Sequence, residues 1–292
     1  MNQLKVLTLS LLIIILHGIS NAQNSGSDTT WFFIQLTDPQ FGMFENNEGF
    51  GKETVLYTKA VEKINGLKPD FVVITGDLVH DPDDESQIAE FKRITAQIDE
   101  QIPVYLIPGN HDVGGEPDKQ SLEKYMTNYG YDRFSFIHKG VKLIGINTSL
   151  IKADLPGPEK KQYRWLKKEI KKNRDDLPVI MFGHYPFFIH SFDEPEKYSN
   201  IGIEKREKYI SLFEQLGVGF VFSGHLHNNA YATKGTIEYV ITNAVGKPLG
   251  DAPSGMRIIK INKGLISHDF YGLDEIPGKV RFGKCTEETS FK

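Results

Sequence analysis

The chain has 292 residues and a formal net charge of −4, and charged residues make up 25% of it. This composition is typical of a globular protein and excludes a chain that is disordered throughout. The chain has no excess of Lys and Arg, so its overall charge gives no signature of nucleic-acid binding. The mild negative charge does not attract phosphate groups either. Strong anion binding must therefore be local, and a bound metal ion is the obvious local source of positive charge.

Residues 1–22 have the pattern of a secretory signal peptide. Lys5 precedes an apolar run over residues 6–16, and small residues follow up to Ala22, where we expect cleavage. The apolar run is about half the ~20 residues that a membrane span requires, so no stable anchor is expected after cleavage. We therefore expect an exported protein, periplasmic or extracellular, whose mature chain begins with a polar linker at residues 23–30.

From residue 31 onward, short apolar runs alternate with amphipathic segments. Buried strands are predicted at 31–37, 70–76, 103–109, 141–148, 178–184 and 218–225. Helical periodicity is predicted at 52–66, 84–99, 159–172 and 204–216. After residue 230 the alternation predicts an antiparallel meander. We expect one domain over residues 31–272 and a loose tail over residues 273–292, which carries Cys285, the only cysteine, so that no internal disulfide can form.

Polar side chains follow five of the predicted strands, at the point where each strand ends. They are Asp38 and Gln40, then Asp77, then Asn110 and His111, then His184, and finally His225 and His227. Because the carboxyl ends of strands in open α/β sheets converge on one crevice, we expect these side chains to gather there. Carboxylates, imidazoles and amide oxygens are the ligands that a pair of divalent ions takes in proteins.

Each cluster taken alone also has an ordinary explanation. Gly76-Asp77 and residues 109–112 are typical turn sequences, and a lone histidine such as His184 is more often structural. The His225-x-His227 pair is evenly balanced between a metal site and an ordinary strand end. Because all the clusters follow predicted buried strands, in order, separate turns are a poor explanation, and the pattern favours one metal site.

These clusters form an ordered set of motifs, namely Asp38-x-Gln40, Gly76-Asp77, Gly109-Asn110-His111-Asp112, Gly183-His184 and Gly224-His225-x-His227. The set resembles the calcineurin-like metallophosphoesterase superfamily over about residues 31–262, and several stretches resemble a serine/threonine phosphatase branch of it. The resemblance implies an α/β (α+β) fold, a four-layer αββα sandwich of two mixed β-sheets flanked by helices. Most members have a histidine where this chain has Gln40.

The resemblance also implies a dinuclear metal centre with two divalent ions, such as Mn, Fe or Zn. By position, the first ion is expected on Asp38, Gln40 and His227, and the second on Asn110, His184 and His225, with Asp77 bridging them. His111 is expected to stabilise the transition state or to protonate the leaving oxygen. Because the amide oxygen of Gln40 adds no charge, we expect the first ion to bind more weakly than in members with histidine.

The expected activity is that of a hydrolase, a phosphatase that cleaves phosphate monoesters with a hydroxide bridging the two ions. Phosphoserine or phosphothreonine is the first candidate substrate, and a phosphodiester or a nucleotide is the alternative. The chain lacks the Gly-Asp-x-x-Asp-Arg-Gly motif of calcineurin-type catalytic subunits. It has His80 where purple acid phosphatases place a tyrosine ligand. The other classes that stay open are a non-catalytic metal-binding module and a secreted interaction domain without metal.

Three neighbouring features have two interpretations each. His80 either contacts the substrate or is an ordinary loop histidine. Asp112 either orients His111 or caps the turn that follows. The loop over residues 187–198 either shapes a substrate pocket or is an ordinary surface loop.

Overall fold

The computed structural model of the protein describes residues 29–172 and 177–282. The predicted signal peptide, most of the predicted linker and Cys285 lie outside these ranges. No helix within them is long and apolar enough to cross a membrane.

The strands of the described residues form two mixed β-sheets. The first sheet contains, in spatial order, β11 (Leu265–Gly272), β10 (Gly255–Asn262), β1 (Thr30–Leu36), β2 (Val72–Thr75) and β3 (Val104–Ile107). The second contains β4 (Phe134–His138), β5 (Val141–Gly145), β6 (Val179–Phe182), β7 (Val218–Ser223), β9 (Ile237–Ile241) and β8 (Ala230–Lys234). The strands that precede the site motifs run parallel, β1 with β2 with β3 and β5 with β6 with β7.

Helices cover the outer face of each sheet. The first sheet packs against α1 (Gly51–Leu67), α2 (Glu85–Thr95) and α4 (Lys119–Tyr129). The second packs against α6 (Pro156–Lys172) and α7 (Ile203–Gln215). Two short helices, α3 (Asn110–Val113) and α5 (Thr148–Lys152), lie directly after β3 and β5.

The alternation of side chains along the strands produces the layers. Phe33 of β1 and Val73 of β2 belong to a cluster between the two sheets that also contains Phe182 and Phe222. Ile34, one position after Phe33, belongs instead to the cluster beneath the helices of the first sheet. A third cluster lies between the second sheet and the helices α6 and α7. Because each fully buried side chain of this size stabilises the fold by about 1.5–3 kcal/mol, the three clusters are large enough to hold four layers together. The predicted αββα sandwich is confirmed.

Most predicted elements are present, and one prediction of topology is wrong. The four predicted helices correspond to α1, α2, α6 and α7, whereas α4 and β4 were not predicted. The strands after residue 230 do not form one meander. β8 and β9 pair with each other in the second sheet, but β10 and β11 belong to the first. The segment between β9 and β10 crosses from one sheet to the other, where the N–H groups of Val245 and Gly246 donate to the carbonyls of Thr37 and Asp38.

The folded part also extends beyond the predicted end of the domain at residue 272. Leu273 and Ile276 are buried in the cluster beneath α1 and α2. Leu273 and Ile276 therefore anchor this segment to the core, so that residues 273–276 are not part of a loose tail.

Candidate metal centre

The predicted site residues lie at the carboxyl ends of strands from both sheets. The first sheet supplies Asp38 and Gln40 after β1, Asp77 after β2 and Asn110 after β3, and the second supplies His184 after β6 and His225 and His227 after β7. The two sheets face each other, so their strand ends meet along one edge of the sandwich. All seven side chains are buried, with at most 8% of the surface of any of them exposed.

The backbone at these strand ends turns sharply so that the next side chain points into the site. Asp38, Gln40, Asp77, His225 and His227 have φ values between 38° and 72°, in the left-handed region that few non-glycine residues adopt. Such conformations cluster at functional sites, where the surrounding structure holds them in place. Neighbouring segments of the chain also approach one another very closely. A Cβ atom at Gly109 would lie 2.0 Å from Oδ1 of Asp77, so only glycine fits there.

One group of ligand atoms contains Asp38, Asp77 and His227. One atom from each of these residues lies within 4.8 Å of the others. Nδ1 of His227 donates to the carbonyl of Lys247 at 2.6 Å, so Nε2 carries the lone pair, 3.4 Å from Oδ1 of Asp38. The other oxygen of Asp38 accepts hydrogen bonds from Thr37 Oγ1 at 2.6 Å and from the backbone of the HxH turn. Oδ1 of Asp38 is buried and has no hydrogen-bond partner.

A second group contains Asp77, His184 and His225, again within 4.8 Å. Nδ1 of His184 donates to the carbonyl of Thr75 at 2.8 Å, which leaves Nε2 facing the other ligand atoms. That nitrogen lies 3.2 Å from Oδ2 of Asp77 and 3.1 Å from Oδ1 of Asn110. Three potential ligand atoms thus lie close together, which is the arrangement that a cation requires. Asp77 belongs to both groups and lies between them.

The amide of Gln40 is oriented by a single hydrogen bond. Nε2 of Gln40 donates to Nδ1 of His80 at 3.1 Å. The remaining atom, Oε1, is buried and has no partner. Unpaired buried acceptors are rare in folded proteins, because each loses its hydrogen bonds to water. Two of them, Oε1 of Gln40 and Oδ1 of Asp38, occur on residues predicted to hold the same ion.

The charges in the site show why it attracts cations. Burial opposes ionisation of Asp38, but His227 and His184 outweigh it and lower the pKa of that carboxyl group. The same balance, with His184 as the main partner, lowers the pKa of Asp77. Burial disfavours the charged form of His184, yet Asp77 and Asp38 raise its pKa to about 9, so in the absence of a cation Nε2 holds a proton that a bound ion would displace. Burial and the neighbouring His184 lower the pKa of His225 to about 3, which keeps that imidazole neutral, as a metal ligand must be.

The residues therefore fit a pair of divalent ions. The donors are carboxylate and amide oxygens and imidazole nitrogens, a set that suits Mn, Fe and Zn. The two buried carboxylates need positive charge beside them, and the two unpaired acceptors need a partner.

His111, the predicted catalytic residue, lies beside the two groups and belongs to neither. Its backbone N–H donates to Oδ1 of Asp77 at 2.8 Å, and Nδ1 of its ring donates to the carbonyl of His80 at 2.8 Å. The rings of His80 and His111 are stacked, with centroids 4.6 Å apart. Nε2 of His111 has no hydrogen-bond partner among the described residues. His80 is therefore part of the site, behind both Gln40 and His111.

Asp112 caps the start of α3, and not the turn that follows it, which was one of the two roles left open by the sequence. Its carboxylate accepts hydrogen bonds from the backbone N–H groups of Gly109 at 2.8 Å and Leu78 at 2.9 Å. These bonds join the segment after β2 to the segment after β3. Burial, with a smaller contribution from Asp77, raises the pKa of Asp112 to about 8. No contact between Asp112 and the ring of His111 is found among the described residues.

Sequence reasoning did not identify Tyr198 and Tyr185 as residues of the site. Nδ2 of Asn110 donates to the hydroxyl of Tyr198 at 3.2 Å. The rings of Tyr185 and Tyr198 have centroids 4.1 Å and 5.1 Å from that of His225. Tyr185 directly follows a ligand in the sequence, which was an available signal. Nothing local marks Tyr198, because its position depends on the folding of a long loop.

Known proteins share both the sequence pattern and the fold. Residues 33–229 match the family model of the calcineurin-like phosphoesterases. The serine/threonine-protein phosphatase CPPED1 of Homo sapiens is 34% identical over 269 residues, which cover 85% of this chain and 86% of that protein. A probable glycerophosphodiester phosphodiesterase, GpdQ of Arcobacter nitrofigilis, is 29% identical over 168 residues, 56% of this chain and 59% of that protein.

Solved structures show the same fold at low sequence identity. The purple acid phosphatase PPD1 from yellow lupin seeds has a TM-score of 0.66 at 14% identity, with 86% of this chain and 53% of that chain covered. The Plasmodium protein GAP50 has a TM-score of 0.59 at 13% identity, with 85% and 86% covered. With the family match over most of the folded residues and the CPPED1 relatives, these findings lead to one conclusion: the chain is a metal-dependent phosphoesterase that belongs to the calcineurin-like phosphoesterase family.

Proposed function

We propose that the protein is an exported phosphatase that hydrolyses phosphate monoesters with two divalent ions. The first ion would be held by Asp38, Gln40 and His227 and the second by Asn110, His184 and His225, with Asp77 available to both. The observation that carries the proposal is the position of Asp77, which is shared by two separate groups of ligand atoms. A shared carboxylate between two such groups is what a dinuclear hydrolytic centre requires.

When bound, the two ions would lower the pKa of a water molecule and neutralise negative charge on the phosphoryl oxygens. The chain holds the donor atoms ready for this. His184 and His227 are each fixed through Nδ1 by a backbone carbonyl, so Nε2 of each ring is committed to the site. Asp77 is fixed by the backbone N–H of His111. Donors fixed before the substrate arrives do not have to reorganise during the reaction.

His111 is the proposed proton donor to the leaving oxygen. Its backbone and Nδ1 are both hydrogen bonded, which fixes the ring and leaves Nε2 for the substrate. A positioned proton donor of this kind typically accelerates hydrolysis by about 10²–10⁴-fold. The ring of His80 stacks on one face of the His111 imidazole and helps to fix its orientation.

Phosphoserine and phosphothreonine are the proposed physiological esters. The support is the name of the relatives, since CPPED1 is a serine/threonine-protein phosphatase with 34% identity over 85% of this chain. The predicted export places the substrate outside the cytoplasm. The relative with a diesterase name covers only 56% of the chain, so a phosphodiester is the second substrate to assay.

The proposal is tested by metal reconstitution. The metal-free full chain is assayed with p-nitrophenyl phosphate as Mn²⁺, Fe²⁺ or Zn²⁺ is added back. Asp77→Asn is run beside it, and Asp99→Asn, an exposed aspartate in the turn after α2, is the matched control. We expect metal-dependent turnover that is lost in Asp77→Asn and kept in Asp99→Asn.

Two other results would reject parts of the proposal. Turnover of bis(p-nitrophenyl) phosphate without turnover of the monoester would make the protein a diesterase. Stoichiometric uptake of two ions without hydrolysis of either compound, or of a phosphoserine peptide, would make it a non-catalytic metal-binding module.

A further inference from the structure

One loop carries an exposed aromatic side chain to the edge of the metal centre. This loop, residues 187–201, is called the tyrosine loop here because it ends near Tyr198. The hydroxyl of Tyr198 accepts a hydrogen bond from Nδ2 of Asn110 at 3.2 Å. Its ring lies 5.1 Å from that of His225. Even so, 68% of the surface of Tyr198 is exposed, the largest exposed fraction of any large hydrophobic side chain in the described residues.

The tyrosine loop is held by a buried arginine. Arg206 of α7 is 0% exposed. Its Nη1 donates to the carbonyls of Phe192 and Glu194 at 2.7 Å and 2.6 Å, and its Nε donates to the carbonyl of Ile201 at 2.6 Å. A buried cation that binds three loop carbonyls fixes the path of the loop, because releasing any of them would leave a charged group unpaired.

Further hydrogen bonds fix the loop on either side of Tyr198. The carboxylate of Glu194 accepts from the backbone N–H groups of residues 189–191 at 2.8–3.2 Å. Nζ of Lys152 donates to the carbonyls of Lys197 and Asn200 at 2.7 Å and 2.8 Å. The backbone around Tyr198 is therefore preorganised, unlike that of a freely moving surface loop.

A rigid loop that leaves an aromatic ring in water calls for a functional explanation. Packing does not provide one, since most of the surface of the residue stays exposed. An apolar ring in water gains free energy when another apolar surface covers it. A second exposed apolar residue, Leu249, is 63% exposed, and its N–H donates to the carbonyl of His227 at 2.8 Å. Exposed apolar surface thus borders the ligand cluster near both histidines of the HxH turn.

We propose that Tyr198 is a substrate-contact residue whose ring packs against the leaving group of the ester. The substrate class is then phosphate esters whose leaving group carries a planar or apolar group, which a phosphoserine peptide would supply from a neighbouring side chain. The inference rests on the proposed function, because the phosphate of the substrate must lie at the metal centre for the ring to reach the adjoining group. The tyrosine loop supplies the contact without having to close, since its backbone is already fixed.

The test compares two esters with the same kind of scissile bond. Benzyl phosphate and ethyl phosphate are both esters of primary alcohols, but only the first carries a planar apolar group. Tyr198→Ala is expected to lower kcat/KM for benzyl phosphate by about tenfold relative to ethyl phosphate, the loss of one aromatic contact. Tyr198→Phe keeps the ring and removes the bond to Asn110, so it is expected to leave the ratio of the two substrates unchanged.

A distant tyrosine provides the matched control. Tyr231 on β8 is 55% exposed, and Tyr231→Ala is expected to change neither substrate. The affinities of benzylphosphonate and ethylphosphonate for the Mn²⁺-loaded chain, measured by calorimetry, give a second readout that needs no hydrolysis. Tyr198→Ala is expected to remove the preference for the benzyl compound there too.

Failure of the Tyr198 contact can be distinguished from failure of the proposed function. If the wild type hydrolyses both esters and Tyr198→Ala changes both by the same factor, the contact is refuted and the proposed function stands. If the wild type hydrolyses neither ester, the proposed function fails, and the affinities for the two phosphonates then test the Tyr198 contact. A benzyl preference that disappears in Tyr198→Ala then supports the contact, and equal affinities in the wild type refute it.

Discussion

The hydrogen bond between Gln40 and His80 controls one of the two proposed ion sites. Nε2 of Gln40 donates to Nδ1 of His80 at 3.1 Å, and this is the only side-chain partner of that amide among the described residues. Because the –NH₂ group is held, the oxygen must face the other ligands. Without this acceptor the amide can flip and turn its N–H groups towards the ion. A cation cannot be bound by an N–H group, which offers no free electron pair. His80→Phe removes the acceptor and keeps a ring to stack on His111.

The size of the effect follows from the type of bond. A neutral hydrogen bond contributes about 0.5–1.5 kcal/mol, and partners behind a metal ligand change metal affinity by about 10- to 100-fold. The bond is neutral and only partly buried, so we expect the lower end. His80→Phe should weaken the binding of one Mn²⁺ about tenfold and affect the other less, because Gln40 is proposed as a ligand of only one of the two ions.

The assay is a calorimetric titration of the metal-free chain with Mn²⁺, fitted to two sites. His80→Asn is the rescue variant, because its side-chain oxygen can accept from Gln40 near the position of Nδ1. It should restore most of the lost affinity. The reasoning is refuted if His80→Phe binds both ions as the wild type does, or if His80→Asn binds as weakly as His80→Phe.

Two further predictions concern a close contact and a buried histidine. In Gly109→Ala the new Cβ would lie 2.4 Å from the backbone nitrogen of Asp77, so Asp77 must move and kcat/KM should fall about 100-fold. Gly115→Ala, with no atom within 4 Å of its Cβ, should keep the activity. Burial and the nearby Arg257 lower the pKa of His268 from 6.5 to about 4, so the unfolded chain takes up a proton that the folded chain excludes. The stability due to neutral His268 is present above pH 6.5 and lost as the pH falls towards 4. His268→Asn, which keeps an acceptor for Arg257, should show a smaller loss of unfolding free energy over this range in urea titrations.

The sequence was most informative where the signal is local. Each ligand motif directly follows an apolar run, and parallel strands bring their carboxyl ends to one edge, so the gathering of Asp38, Asp77 and His184 was predictable. The spacing of Tyr209, Ile210 and Phe213, all buried in the structure, likewise marked α7. By contrast, α4 buries only Leu122 and Tyr125, which is too narrow an apolar face to stand out.

Features that depend on distant contacts could not be predicted. β9 and β10 have similar alternation, and nothing within either strand specifies that β9 pairs with β7 and β10 with β1. Tyr198 reaches the site only because Lys152 and Arg206, from two other helices, fix its loop. The interpretation of Asp112 also needed the structure, since its partners lie on two different strand ends.

The left-handed backbone of five candidate ligands has an evolutionary consequence. Each such conformation costs on the order of 1–3 kcal/mol at a non-glycine residue, and Gln40 at φ 38° and His227 at φ 49° are among them. Glycine at either position would relieve that strain and would also remove a ligand. We therefore expect inactive homologues to accumulate such replacements readily and to be more heat-resistant than the active enzyme, because only selection for hydrolysis maintains the unfavourable conformation.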